Sequence, residues 1–219
     1  MNKSKSTGMW VSAIAFMAIL SVAVSAGARV FPAPSWSGQD GTTFQQWSFS
    51  EGSANPSPDV FPAPINPFGT PQLSVYGSEW SDNRDGHQGV WTFSDFGSVV
   101  LVDIPNNPVS KPVKEIWVEL IWEAASLSSF IPDQPIIGVW ADDFEKQLMG
   151  EQQIGGNWRA SLYKITIWPN PSAEQITING DIHLDQIVVD TICIPEPATM
   201  LLLGLGVIFG LKPKKRSTW

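Results

Sequence analysis

The groups through which this 219-residue chain could do chemistry are few: two histidines, one cysteine and a run of oxygen donors around residue 85. His87 follows Asp82, Asn83, Arg84, Asp85 and Gly86. With Asp82 or Asp85 at its ring, His87 would act as a general base, because a carboxylate orients the imidazole and supports its protonated form. Such a dyad still needs a nucleophile, and the sequence places none beside it. There is no Gly-x-Ser-x-Gly elbow, no phosphate-binding loop ending in Gly-Lys-Ser/Thr and no His-Glu-x-x-His pair. The chain is therefore expected not to be an enzyme, with no catalytic residue and no dedicated metal centre. The Asp82–Gly86 oxygens would suit calcium, which takes about 6–8 of them. They lack the spacing of a helix-loop-helix calcium loop, and an Asx-rich solvated turn explains them as well.

Nine tryptophans fall between residues 29 and 194. An indole face stacks on the apolar face of a pyranose ring while polar neighbours fix the sugar's orientation. Trp36 and Trp80 stand in loop-like contexts, and Trp117 stands on the mixed face of an expected strand. Trp80 and Trp117 are the candidate sugar-stacking residues, against the alternative that they fill the core.

Charge narrows the partners. The chain carries a formal −8, but 6 of its 13 basic residues lie in the two ends and 20 of its 21 acidic residues in the middle. The middle thus has a net charge near −13, which repels nucleic acid and anionic lipid. A single cysteine, Cys193, excludes an internal disulfide framework and a cysteine-built zinc site. It reads as a small apolar residue at a strand end, or as a thiol available to join two chains or to be modified.

The elements that must carry these groups are strands. From Lys114 to Glu123, Ile116, Val118, Leu120 and Trp122 alternate with Trp117, Glu119, Ile121 and Glu123, so one face is apolar and the other mixed and able to look outward. Further strands are expected at 44–50, 72–76, 89–93, 98–104, 136–140, 160–167, 175–178 and 182–191. Proline-rich stretches at 55–58, 62–71, 105–112 and 168–171 separate them. Nine short strands in this length predict an all-β domain, a single jelly-roll-like β-sandwich. Val30-Phe-Pro-Ala-Pro34 recurs at 60–64, which is too short for a repeat and reads as extended loop.

The ends are addresses. Lys3 and Lys5, an apolar stretch from Gly8 to Val24 and then small residues predict a secretory signal peptide over 1–28, a helix cleaved after Ala26 or Ala28. At the other end Pro195-Glu196-Pro197 precedes 14 uncharged, largely apolar residues and then Lys212-Pro-Lys-Lys-Arg216. Those three parts, in that order, resemble the PEP-CTERM sorting signal of bacterial exosortase substrates. The resemblance implies that residues 195–219 are a sorting signal and that Pro195, Glu196 and Pro197 are recognised and cut by a membrane exosortase. A helix of 14 residues reaches ~21 Å, short of the ~30 Å hydrocarbon core. It suits transient insertion, with the basic cluster held on the cytoplasmic side.

The middle, residues 29–194, is similar in places to uncharacterised planctomycete-type PEP-CTERM proteins. The segments are Thr42–Phe49, Asn66–Pro71, Ile104–Pro108, Lys114–Val118 and Val188–Pro197. This likeness implies a shared fold and export route and no activity. Ile182–Asp190 also resembles the closing strand of jelly-roll carbohydrate-binding modules, which implies a structural calcium role for Asp181 or Asp185. The expected function is that of an exported cell-surface or matrix protein with a structural or adhesive role. The alternatives are a carbohydrate-binding module with a structural calcium and, third, a polysaccharide hydrolase. The expected partners are the export machinery, an exosortase and extracellular polysaccharide, with no nucleic acid.

Overall fold

In the computed structural model the described residues are 29–194, except 61, 62, 96, 109, 110, 129 and 172. They hold eleven strands and no helix. The strands are β1 (Thr42–Trp47), β2 (Gln72–Tyr76), β3 (Glu79–Arg84), β4 (His87–Phe93), β5 (Val99–Pro105), β6 (Val113–Ala124), β7 (Ile136–Val139), β8 (Phe144–Gly155), β9 (Trp158–Ile167), β10 (Ala173–Asn179) and β11 (Ile182–Ile194). They form two antiparallel sheets. The larger, seven-stranded, runs β3-β4-β11-β6-β9-β8, with β1 also pairing β11; the smaller runs β2-β5-β10-β7. The signal peptide with Ala26 and Ala28, and the sorting signal with its helix, lie outside the described residues.

One apolar core is drawn from both sheets. Ile116, Val118, Leu120 and Trp122 of β6 and Ile182, Leu184, Ile187 and Val189 of β11 face Val100, Val102 and Ile104 of β5 and Ile176 and Ile178 of β10. Each such side chain, fully buried, contributes about 1.5–3 kcal/mol. The β6 alternation places its inward residues as expected. The step from Leu184 to Ile187 keeps both inward because the register shifts between Leu184 and Gln186, inserting one residue.

Two strands escape the sequence pattern. β3 and β4 are joined by Asp85-Gly86, both at positive φ (51° and 89°), the two-residue hairpin turn that Asp-Gly favours. Asp82, Asn83 and Arg84 therefore belong to a strand, and His87 opens the next one, in place of the expected polar loop. β8 is solvent-exposed along almost its whole length. It lies at the sheet edge, with register shifts at Leu148/Gly150 and Gln153/Gly155. Bulges and the charges of Glu145, Lys146 and Glu151 on such an edge discourage pairing with another chain.

Over β6 and β11 the outer face of the large sheet is not open to solvent, despite its mixed composition. Glu119, Ile121, Val188 and Asp190 are buried there. The segment 29–37 lies across them. Arg29 donates twice to Asp190, through Nη1 at 3.4 Å and more closely through Nη2, and its Nε stands 3.8 Å from Glu119. The Val30 and Phe31 N–H groups donate to Glu119 at 2.6 and 3.4 Å, and the Ser37 hydroxyl donates to Asp190 at 3.1 Å. Val30 and Phe31 pack on a second apolar cluster of Val90, Ile121, Trp158 and Ala160. The first copy of the repeated pentapeptide is thus a lid strip on the sheet.

Candidate functional site

The tryptophans sort by what their indoles touch. Trp80 donates its N–H to the Phe49 carbonyl at 3.2 Å, and its ring lies against Gly52, where an added Cβ would stand 2.9 Å away. It pins the loop after β1. Trp36 and Trp117 meet edge-on, with centroids 6.3 Å apart, and both donate to Glu115 Oε1, at 3.0 and 2.8 Å. Lys164 reaches the other oxygen at 2.7 Å. Burial pushes the Glu115 carboxyl up, but these donors outweigh it and hold the group below the ordinary glutamate range. Both candidate stacking residues, Trp80 and Trp117, are half-buried and occupied with the fold.

Trp140 is different. It is 78% exposed, just past the end of β7. It rims a cleft of about 480 Å³ with Val139, Ala141, Asp142, Pro169, Asn170 and Pro171. Trp168, 37% exposed, precedes Pro169 across a cis peptide bond. An exposed indole face with a carboxylate and an amide beside it is the arrangement that stacks on a sugar ring and hydrogen-bonds its hydroxyls. Nothing in the local sequence separates Trp140 from its eight counterparts, because its exposure results from where β7 stops.

His87 finds its carboxylate elsewhere than Asp82 or Asp85. Its Nδ1 lies 2.8 Å from Asp185 Oδ2, and its ring stacks on Trp158 with centroids 4.0 Å apart. A His-carboxylate pair is the orienting half of a catalytic triad. Among the described residues no hydroxyl or thiol is seen hydrogen-bonded to that ring. His183 bonds Thr92 Oγ1 at 2.9 Å, and burial, reinforced by Arg84, pushes it down from its ordinary value.

Asp181 and Asp185, the two residues set against a structural calcium, each make a hydrogen bond within the fold. Asp181 is buried, and its Oδ2 accepts the Ser128 N–H at 2.6 Å, tying down the loop after β6. Asp185 holds His87. Among the described residues no group of three or more His, Cys, Asp or Glu side chains is placed to hold a metal ion. Cys193 is a free thiol but a buried one, 3.3 Å from Asn106 Oδ1 and 3.6 Å from Lys114 Nζ. Its side chain is buried beside those two groups.

β11 ends at Ile194, and the residues from there onward decide the address. Residues 194–216 match the PEP-CTERM protein-sorting motif. This motif marks an exported protein that an exosortase processes, destined for the cell envelope or surface. No curated protein and no solved structure matches the chain. In the sequence the motif's triplet, Pro195, Glu196 and Pro197, directly follows Ile194, the last residue of β11.

Proposed function

We propose that the protein is a non-enzymatic component of the cell surface or extracellular matrix, and that its domain, a jelly-roll-like sandwich, adheres to extracellular polysaccharide at the Trp140 cleft. The observation that carries this reading is the indole of Trp140, exposed at 78% beside the Asp142 carboxylate and the Asn170 amide. An indole face at the rim of a cleft offers a stacking surface to a sugar ring, with the carboxylate and amide beside it for the hydroxyls, and a domain with net charge near −13 favours an uncharged or cationic glycan over an anionic one. Glycan-array and polysaccharide pull-down binding test it. Trp140→Ala should weaken binding by about tenfold, or ~1.4 kcal/mol, while Trp117→Ala acts through stability. Binding that is unchanged in Trp140→Ala, or absent for every glycan including the producer's matrix, overturns the adhesive site.

The same reading gives the ends a sequence of events. The general export machinery removes the signal peptide after Ala26 or Ala28, the short C-terminal helix inserts transiently, and the exosortase cuts at the triplet. The mature protein should then show, by mass spectrometry, an N-terminus at Gly27 or Arg29 and a C-terminus at or near Pro195–Pro197. A surface form that keeps Trp219 contradicts processing of the tail.

A further inference from the structure

At the end of the core nearest the sorting motif, the space between the sheets holds polar side chains. Lys114 of β6 is fully buried, and Glu174 of β10 is 2% exposed. Lys114 Nζ lies 2.6 Å from Glu174 Oε1 and 3.1 Å from the side-chain oxygen of Asn106, the residue just after β5. Cys193 Sγ closes the group. An isolated ion pair in such a place is costly to desolvate, and Glu174 Oε2 has no hydrogen-bond partner. Three features go beyond an ion pair. The Asn106 amide is held in one orientation, its NH2 donating to Asn170 Oδ1 at 2.8 Å and to the Pro171 carbonyl at 2.6 Å. Its oxygen therefore faces the amine. The same oxygen accepts the Asn107 N–H at 2.7 Å and the Cys193 thiol at 3.3 Å.

We propose that Lys114 and Asn106 form an intramolecular isopeptide bond, with Glu174 as the proton-transfer group. With Nζ 3.1 Å from the carbonyl oxygen and a C=O bond of about 1.23 Å, the amine is at most ~4.3 Å from the carbonyl carbon. A high effective concentration needs the amine within about 3–3.5 Å of that carbon, so Nζ has at most ~1.3 Å to close. The Lys114 ammonium gives one proton to the Glu174 carboxylate, which removes two buried charges at once. Burial pushes the Glu174 carboxyl up, in keeping with its ending as the neutral acid. The free amine attacks Cγ of Asn106, and the charge that develops on Oδ1 meets the Asn107 N–H and the Cys193 thiol, which act as an oxyanion hole. The Cγ–Nδ2 bond breaks, and Nδ2 takes the second amine proton and leaves as ammonia. The products are the Nζ–Cγ amide, neutral Glu174 and ammonia; nothing is oxidised or reduced. Asn170 and Pro171, which hold the departing NH2, also line the Trp140 cleft, so ammonia would leave on the side of that cleft. The bond ties β5 of the small sheet to β6 of the large one, beside the strand that leads to the sorting motif.

Peptide mapping of the full chain decides the matter. Trypsin spares Lys111, which precedes Pro112, and cuts after Lys114 only when its amine is free. The bond predicts a single peptide from Asp85 to Lys146, lighter than its sequence mass by about 17 Da, the mass of ammonia, and closed into a loop that releases no fragments between Asn106 and Lys114. Complete cleavage after Lys114, with the peptide ending there at its unmodified mass, overturns the proposal. Asn106→Ala and Glu174→Gln should each restore that cleavage. A Glu174→Gln chain that crosslinks as fully as the native one overturns the role given to Glu174. The map of the unaltered chain settles the bond itself even where a variant fails to fold.

Discussion

Replacing Arg29 by Met should lower the unfolding free energy by about 3–5 kcal/mol near pH 8, which is the cost of removing one partner from a buried charge group. The Asp190 and Glu119 side chains that Arg29 contacts are fully buried, and Arg29 itself is 18% exposed. Solvent therefore does little to compensate the two carboxylates when the guanidinium goes. Arg29 also lies over the Phe44 ring, 5.5 Å from its centroid, which anchors one end of the lid strip. Urea unfolding measures the loss. In thermal unfolding a domain of this size loses about 2–4 °C per kcal/mol, so the midpoint should fall by ~6–20 °C. Adding Glu119→Gln and Asp190→Asn to Arg29→Met should recover much of it, since the orphaned charges are then gone. A single variant within ~0.5 kcal/mol of the native protein would show that strip 29–37 does not cover the sheet in solution.

The loss must also depend on pH, and its sign is set by the carboxyls. Burial pushes both Glu119 and Asp190 above their ordinary values, outweighing Arg29 and the backbone donors. A carboxyl whose folded value is raised binds its proton more tightly when folded. Its stabilising contribution is complete below the unfolded value, 4.5 for Glu119 and 3.8 for Asp190, and is lost as pH rises through the folded one. Arg29 holds those folded values down, so Arg29→Met raises them further and steepens the loss. The gap between variant and native protein should be smallest near pH 4 and widen toward pH 8. His183, lowered by burial, acts in the opposite sense, losing stability as pH falls below 6.5. It does so in both proteins and cancels from the difference.

How much of this is legible in the sequence depends on the range of each signal. Alternation is local, so β6 and the inward set Ile116, Val118, Leu120 and Trp122 can be read from ten consecutive residues. All nine expected strands exist. β8 cannot be read because both its faces meet solvent, which leaves no apolar period to detect. β3 hides behind its oxygen donors, although Asp85-Gly86 is a hairpin signal in itself. The pairings are out of reach for a different reason. Arg29 answers carboxylates 90 and 161 positions away, and His87 meets Asp185 across 98. Neither spacing leaves a trace in the sequence. The same holds for the polar cluster. Lys114 looks like the flank of a strand, and only the register that sets it beside Cys193 and turns it inward makes it a buried amine.

Long-range packing also decides the last result expected. Gly89→Ala should be the most damaging single methyl in the domain, costing more than ~4 kcal/mol and reaching the range where a chain of this kind fails to fold. Gly89 sits in β4 at φ +75°, and a Cβ there would fall 1.8 Å from the Phe49 carbonyl oxygen and 2.4 Å from its carbon. Both are backbone atoms of the segment leaving β1, itself at positive φ at Phe49 and fixed by the Trp80 indole. No side-chain rotation relieves the clash; β4 or the 48–60 loop must move, and the loop carries the buried Phe49 with it. Gly86 is the control. It also has positive φ, +89°, but an added Cβ there meets nothing within 4 Å, so Gly86→Ala should cost only the left-handed backbone strain, about 1–2 kcal/mol. The two variants share the conformational penalty and differ in the steric one. Urea unfolding free energies that separate them by less than ~1 kcal/mol would mean that the loop after β1 yields freely, and that Trp80 does not hold it against β4.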